Sequence, residues 1–145
     1  MKKRAALTQH EKYVSFKTAF DNVKSQRETG NYLAAFIVAF SIFEDRLAAA
    51  VMLAADLNNE PRPTGHLRLY GRVAFLRDRG HLDDATSKDW RSAGDERNDL
   101  IHSAMWQVDA VEDGHVVAAI RRARSADNLA ARLRRKVAAL DAGKA

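Results

Sequence analysis

The chain of 145 residues contains no cysteine, and this absence excludes several classes of protein at once. Without thiols it can form no disulfide bond, thiolate zinc site, iron–sulfur cluster or cysteine nucleophile. Small secreted proteins that depend on a disulfide framework are therefore excluded.

Long apolar runs are missing as well. The longest, Leu33 to Phe40, has eight residues and is too short to span a bilayer. The N-terminal Met-Lys-Lys-Arg matches the basic start of a signal peptide, but polar residues 8–12 stand where its apolar region would have to be. We therefore predict a cytoplasmic protein with no membrane segment.

Proline and glycine are scarce, and the positions of the glycines bear on function. The seven glycines stand singly, which excludes a glycine-rich phosphate-binding loop. No two histidines lie three to five residues apart, so the usual spacing of a helical metal site is absent too. We predict no metal ion and no organic cofactor.

What the chain does contain is apolar residues at helical spacing. A Thr8-Gln9-His10-Glu11 capping box begins a first helix, which we predict over about 9–27. Asn31 is expected to cap a long second helix that ends near Leu57. The wide apolar stripe of this second helix predicts that it lies at the centre of a bundle.

Two further helices are predicted beyond a loop that contains both prolines. The third covers about 67–78, and either Asp83 or Asp84 caps the fourth. The spacing of Trp90 and Trp106 fits the core better than an exposed surface for stacking bases.

After the fourth helix the apolar period changes from 3.6 to 2. Segments 105–111 and 115–120, joined by Glu112-Asp113-Gly114, predict a short β-hairpin. Ser125 or Asp127 is then expected to cap a last helix whose outer surface is basic.

These elements predict an all-α fold, an antiparallel bundle of four or five helices with a short β-hairpin before the C-terminal helix. No repeat or low-complexity tract divides the chain, so residues 1–145 are predicted to form one domain. Residues 1–7 and 141–145 are expected to be flexible ends.

One segment of the fourth helix stands out: Arg97-Asn98-Asp99-Leu100-Ile101-His102. It resembles the R-x4-6-H signature of the HEPN superfamily (higher eukaryote and prokaryote nucleotide-binding domains), which typically reads Arg-Asn, apolar residues and His. The order of elements is similar too, since Gly30-Asn31-Tyr32-Leu33 opens a long helix that carries acidic residues and a basic helix ends the chain. The chain resembles a small stand-alone bacterial or phage-type member.

The resemblance implies a function and a set of site residues. Many members with this signature are metal-independent endoribonucleases, so Arg97, Asn98 and His102 are the implied catalytic residues. Glu44 or Asp45 of the long helix is implied to hydrogen-bond Arg97 without being a catalytic residue itself. A toxin or defence setting is also implied, with an antitoxin or a nucleotidyltransferase as a possible protein partner.

Helical geometry bears on how these residues meet. Asn98 and His102 are four apart and share a face, whereas Arg97 and His102 differ by about 140° of rotation and about 7.5 Å of rise. A two-fold dimer through the signature helix brings both sets together in one cleft, as is usual in the family, so we expect a homodimer. His102 would then move protons at the ribose and Arg97 would bind the scissile phosphate.

The end of the chain is strongly basic. Residues 121–136 contain seven cationic residues and a single acidic one, Asp127. A solvated helix face is the usual explanation for such a run, but we favour contact with an RNA backbone, because the run exceeds the net charge of +5. The predicted RNA-binding residues are Arg121, Arg122, Arg124, Arg132, Arg134, Arg135 and Lys136.

Two other interpretations stay open. The chain can be a catalytically silent HEPN-like module that binds nucleotides, RNA or a protein, with Arg97 and His102 kept for structure. A small basic DNA-binding protein is less favoured, because no helix-turn-helix spacing is present.

Overall fold

The structure, a computed structural model, describes residues 9–65 and 67–143. Thr8 of the predicted capping box lies outside these residues. The described part is all-α, as predicted, and contains no strand. Its helices are α1 (Gln9–Glu28), α2 (Tyr32–Leu57), α3 (Leu69–Asp78), α4 (Asp84–Ala104) and α5 (Asp113–Gly143).

The predicted β-hairpin is wrong. Residues 105–112 form a loop, and 115–120 belong to α5, which runs without a break through Ser125 and Asp127, the two expected caps. Within 115–120 the buried residues Val116 and Ala119 already follow helical spacing, which the alternating valines obscured. The acidic residues of the apparent turn instead stand at the positive end of the α5 dipole.

The ends of the helices agree more closely with prediction. Gly30 and Gly80 follow α1 and α3 with φ of +78° and +77°, a conformation that favours glycine. Asp83 caps α4 by accepting a hydrogen bond from the Thr86 amide at 2.6 Å. Asn31 stands at the cap position of α2, but its side chain makes no capping bond. At the other end of the chain α5 extends to Gly143, so residues 141–143 are helical rather than part of a tail.

The core lies between α2 and α5. These two helices run parallel, because the start of α2 shares a cleft with Asp113 while Arg46, near the middle of α2, lies 4.0 Å from Asp127. The antiparallel prediction is therefore wrong for this pair, since α4 runs back along α2, with Trp90 beside Phe43 and Arg97 beside Phe40, before α5 begins. Short side chains let the two helices approach closely. The buried alanines are Ala35, Ala39, Ala50, Ala54 and Ala55 on α2 and Ala119, Ala123, Ala126 and Ala130 on α5.

Two buried arginines connect the helices. Arg46 bonds Asp45 at 2.7 Å and stacks 4.0 Å over the ring of Phe16 in α1. Arg122 of α5 bonds Asp89 of α4 at 3.0 Å. No helix in the described part of the chain is long and apolar enough to cross a membrane.

Candidate active site

Packing against α2 and α3 fixes α4, the helix that carries the Arg97–His102 segment. Trp90 is buried, as predicted, and meets Phe43 of α2 edge-on, with ring centroids 5.2 Å apart. Gly94 permits close contact with α3, because a Cβ at this position would lie 2.6 Å from Cδ2 of Leu69. The segment is therefore presented from a helix that is anchored on two sides.

Arg97 and Asn98 are in direct contact. Nη1 of Arg97 donates to Oδ1 of Asn98 at 3.2 Å. The guanidinium carbon also lies 5.5 Å from the ring centroid of Phe40, so the half-buried side chain leans toward α2. Two contacts thus orient the guanidinium.

His102 is exposed one turn beyond Asn98, on the same face of α4. Within the described residues no side chain hydrogen-bonds its imidazole and no hydrogen bond joins it to Arg97. This separation agrees with the five-residue spacing, which directs the two side chains differently around one helix. A single chain therefore brings Arg97 to Asn98, but not to His102.

The implied acidic partners of Arg97 do not bond it among the described residues. Asp45 instead accepts two hydrogen bonds from Arg46, at 2.7 and 3.1 Å. Glu44 is half-buried one turn from Phe40 on the same side of α2, and makes no hydrogen bond to Arg97 there. The buried Arg46 next in sequence explains why Asp45 turns away.

The surroundings of the segment are acidic. The α4 sequence has five acidic residues against three basic ones. Arg122 neutralises Asp89 and lies 3.8 Å from Glu96, and its hydrogen bond holds the pKa of Asp89 below the usual range. Asp95 and Asp99, in contrast, are exposed beside the candidate site. This surface does not by itself attract a polyanion.

An apolar loop follows α4 directly. Met105, Trp106 and Val108 are 71%, 79% and 97% exposed, so the core position predicted for Trp106 is wrong. Backbone hydrogen bonds from Trp106 and Gln107 to the carbonyl of Ser103, at 3.0 and 2.8 Å, fix the loop to the end of the helix. We call these three apolar residues the 105–108 patch. These exposed apolar side chains, close together in the sequence, form a candidate interaction surface.

The basic run of α5 does not form one surface. Six of its seven cations are exposed, whereas Arg122 is 7% exposed and bonded to Asp89. Sequence reasoning missed this burial, although Arg122 stands at helical spacing from the buried residues Ala119 and Ala126. Lys136 lies near half-buried His81, whose pKa is lowered by burial first and then by Lys136 and Arg79. The exposed members are Arg121, Arg124, Arg132, Arg134, Arg135 and Lys136.

No group of three or more His, Asp or Glu side chains in the described part of the chain is arranged to hold a metal ion. Comparison of the sequence with models of known protein families gives no match. Comparisons with curated proteins and with solved structures give no significant match either.

Proposed function

We propose that this protein is a metal-independent endoribonuclease of HEPN type that cuts RNA with Arg97, Asn98 and His102. One observation carries the proposal: the three residues occupy one accessible length of α4, with Arg97 bonded to Asn98 and His102 exposed. A substrate reaches this imidazole without any change in the core.

The chemistry follows from the residue types. An imidazole nitrogen can act as a general base, so His102 accepts the proton of a ribose 2′-hydroxyl. The 2′-oxygen then bonds to phosphorus, the bond from phosphorus to the 5′-oxygen breaks, and that oxygen takes up a proton. Arg97 binds the phosphate and stabilises its developing charge, while Asn98 orients the guanidinium. The products carry a 2′,3′-cyclic phosphate and a 5′-hydroxyl.

The active form in this proposal is a homodimer through α4 and the 105–108 patch. The distance in sequence between Arg97 and His102 favours a site completed by a second copy, whose imidazole supplies the proton for the leaving oxygen. The exposed Met105 and Trp106 favour the same surface, since Trp and Met are enriched at protein interfaces.

The RNA backbone is held by exposed cations of α5, because the surroundings of α4 are acidic. Arg122 is omitted from this role, since its guanidinium bonds Asp89. The family resemblance extends the proposal to a toxin or defence RNase, whose protein partner would be an antitoxin or a nucleotidyltransferase.

Incubation with total RNA in EDTA tests the proposal. Wild type is expected to cut, His102→Ala and Arg97→Ala to lose about 100-fold or more in rate, and Lys88→Ala to match wild type. The products should end in 2′,3′-cyclic phosphates. Intact RNA with wild type, or equal cutting by the variants, contradicts the proposal.

A catalytically silent RNA-binding or protein-interaction module is the second candidate. The contacts of Arg97 with Asn98 and Phe40 favour it, because they give this arginine a structural role without any substrate. This candidate predicts RNA or partner binding with no cleavage, and a loss of stability in Arg97→Ala.

A further inference from the structure

A groove lies between α1 and α5. Two adjoining clefts of about 300 and 280 Å3 share Phe20, Asp21 and Arg124 in their lining. We call them together the α1–α5 groove. Its walls also include Lys17 and Lys24 from α1 and Ile120 and Asn128 from α5.

Arg124 is oriented before any ligand binds. Its guanidinium carbon lies 5.3 Å from the ring centroid of Phe20, while the residue as a whole stays exposed. A guanidinium that rests on an aromatic ring loses less conformational freedom when it forms new hydrogen bonds.

Positive charge exceeds negative charge in the lining of the groove. Lys17, Lys24 and Arg124 have no ion-pair partner among the described residues. Of the other two charged lining residues, Arg27 bonds Asp113 at 2.6 Å, whereas Asp127 is half exposed and lies 4.0 Å from Arg46. The three cations Lys17, Lys24 and Arg124 thus outnumber the two acidic residues of the lining, Asp21 and Asp127.

The groove and the candidate active site lie on opposite sides of α5. Arg122 and Arg124 are two residues apart and therefore differ by about 200° around the helix. Arg122 reaches Asp89 of α4, whereas Arg124 rests on Phe20 of α1. The groove is a separate surface, and the acidic residues of α4 do not border it.

We infer that the α1–α5 groove binds the phosphodiester backbone of a single-stranded nucleic acid, with Lys17 and Lys24 on one wall and Arg124 on the other. Cations spaced along two helices match a ligand that carries one charge per nucleotide, whereas a single phosphate or carboxylate engages one of them. A further cation extends the wall formed by α5. Arg135 is exposed and lies within about 20° of Arg124 around this helix.

This inference deepens the proposed function, since the bound strand would be the substrate, but binding itself does not require cleavage. The test therefore uses full-length protein carrying His102→Ala and a short fluorescein-labelled oligouridylate, with anisotropy measured over a range of salt concentrations. The groove variant adds Lys17→Ala, Lys24→Ala and Arg124→Gln, the last of which keeps the aliphatic stem over Phe20. A control variant removes the same charge elsewhere, with Arg68→Ala, Arg72→Ala and Lys88→Ala.

The groove variant is expected to bind about tenfold more weakly, with a slope of log K against log salt that is smaller by roughly 2. The control variant should change affinity less than twofold. Equal losses in both variants, no loss in either, or equally tight binding of a polyglutamate peptide overturns the inference. Circular dichroism confirms that each variant is folded.

The two proposals fail separately. If wild type leaves RNA intact but binding depends on the groove residues, the ribonuclease proposal fails and the groove stands. If wild type cuts RNA and the groove variant in the active background has an unchanged KM, the groove inference fails and the enzyme stands.

Discussion

The exposed face of α4 that carries Asn98 and His102, here called the α4 edge, differs from the α1–α5 groove in both charge and chemistry. The α4 edge carries an exposed imidazole with Asp95 and Asp99 beside it, and the 105–108 patch follows. The groove holds Lys17, Lys24 and Arg124 but no histidine in its lining. One region has a group that can move protons, and the other has the charge that attracts a polyanion.

The difference shows that position around a helix, more than residue type, decides what an arginine does. Arg121, Arg122 and Arg124 are close neighbours in sequence. Arg122 points between α4 and α5 and is 7% exposed, whereas the other two are exposed. The basic run therefore contains residues that stabilise the fold beside residues that are available to a ligand.

Replacement of Arg122 should have the largest effect on stability. Arg122→Ala leaves Asp89 and Glu96 without their partner, and we expect a loss of about 2–3 kcal/mol in the free energy of unfolding. The value lies below that of a fully buried pair because the Asp89 side chain is 42% exposed. Arg121→Ala, the neighbouring control, should change stability by less than about 0.5 kcal/mol. Urea denaturation measures both, and equal losses would remove the distinction between the two sides of α5.

The 105–108 patch should control association without affecting the fold of one chain. We expect Trp106→Ala to weaken the dimer by about 2 kcal/mol, or about 30-fold in Kd, because an exposed tryptophan is a typical interface anchor. Sedimentation equilibrium measures this change. Leu140→Ala, which shortens another exposed apolar side chain, should leave Kd unchanged. A wild-type protein that stays monomeric at all concentrations contradicts the proposed dimer.

The smallest expected effect concerns pH. The hydrogen bond from Arg122 lowers the pKa of Asp89 in the folded state. The pair therefore stabilises the fold above the unfolded pKa of about 3.9 and loses this contribution as the pH falls through the lower folded value. Thermal melts between neutral pH and pH 3 should show a smaller acid-induced drop in Tm for Asp89→Asn than for wild type. If Tm falls as far in this variant as in wild type, the ion pair between Arg122 and Asp89 contributes nothing to the acid sensitivity of the fold. Asp99→Asn serves as the exposed control.

The fold was largely predictable because helical signals are local. The helical spacing of apolar residues and the cap at Asp83 fixed α1 to α4 to within about two residues. The start of α5 was missed because residues 115–120 also alternate like a strand, and buried alanines carry a weak periodic signal.

The site was predictable in part. The contact between Arg97 and Asn98 follows from their adjacency, whereas Asp45 turns to the buried Arg46 through tertiary packing that the sequence does not reveal. The α1–α5 groove was missed for the same reason, since Lys17 and Arg124 become neighbours only when α1 packs beside α5.

Single-turnover cleavage measured over a range of RNA concentrations tests most directly whether α4 cuts RNA while the groove holds it. We predict that His102→Ala loses cleavage at saturating RNA with unchanged binding. The variant with Lys17→Ala, Lys24→Ala and Arg124→Gln should reach the wild-type rate at saturation, but at about tenfold higher RNA concentration. A saturating rate that falls as far in the groove variant as in His102→Ala contradicts this division between the two regions.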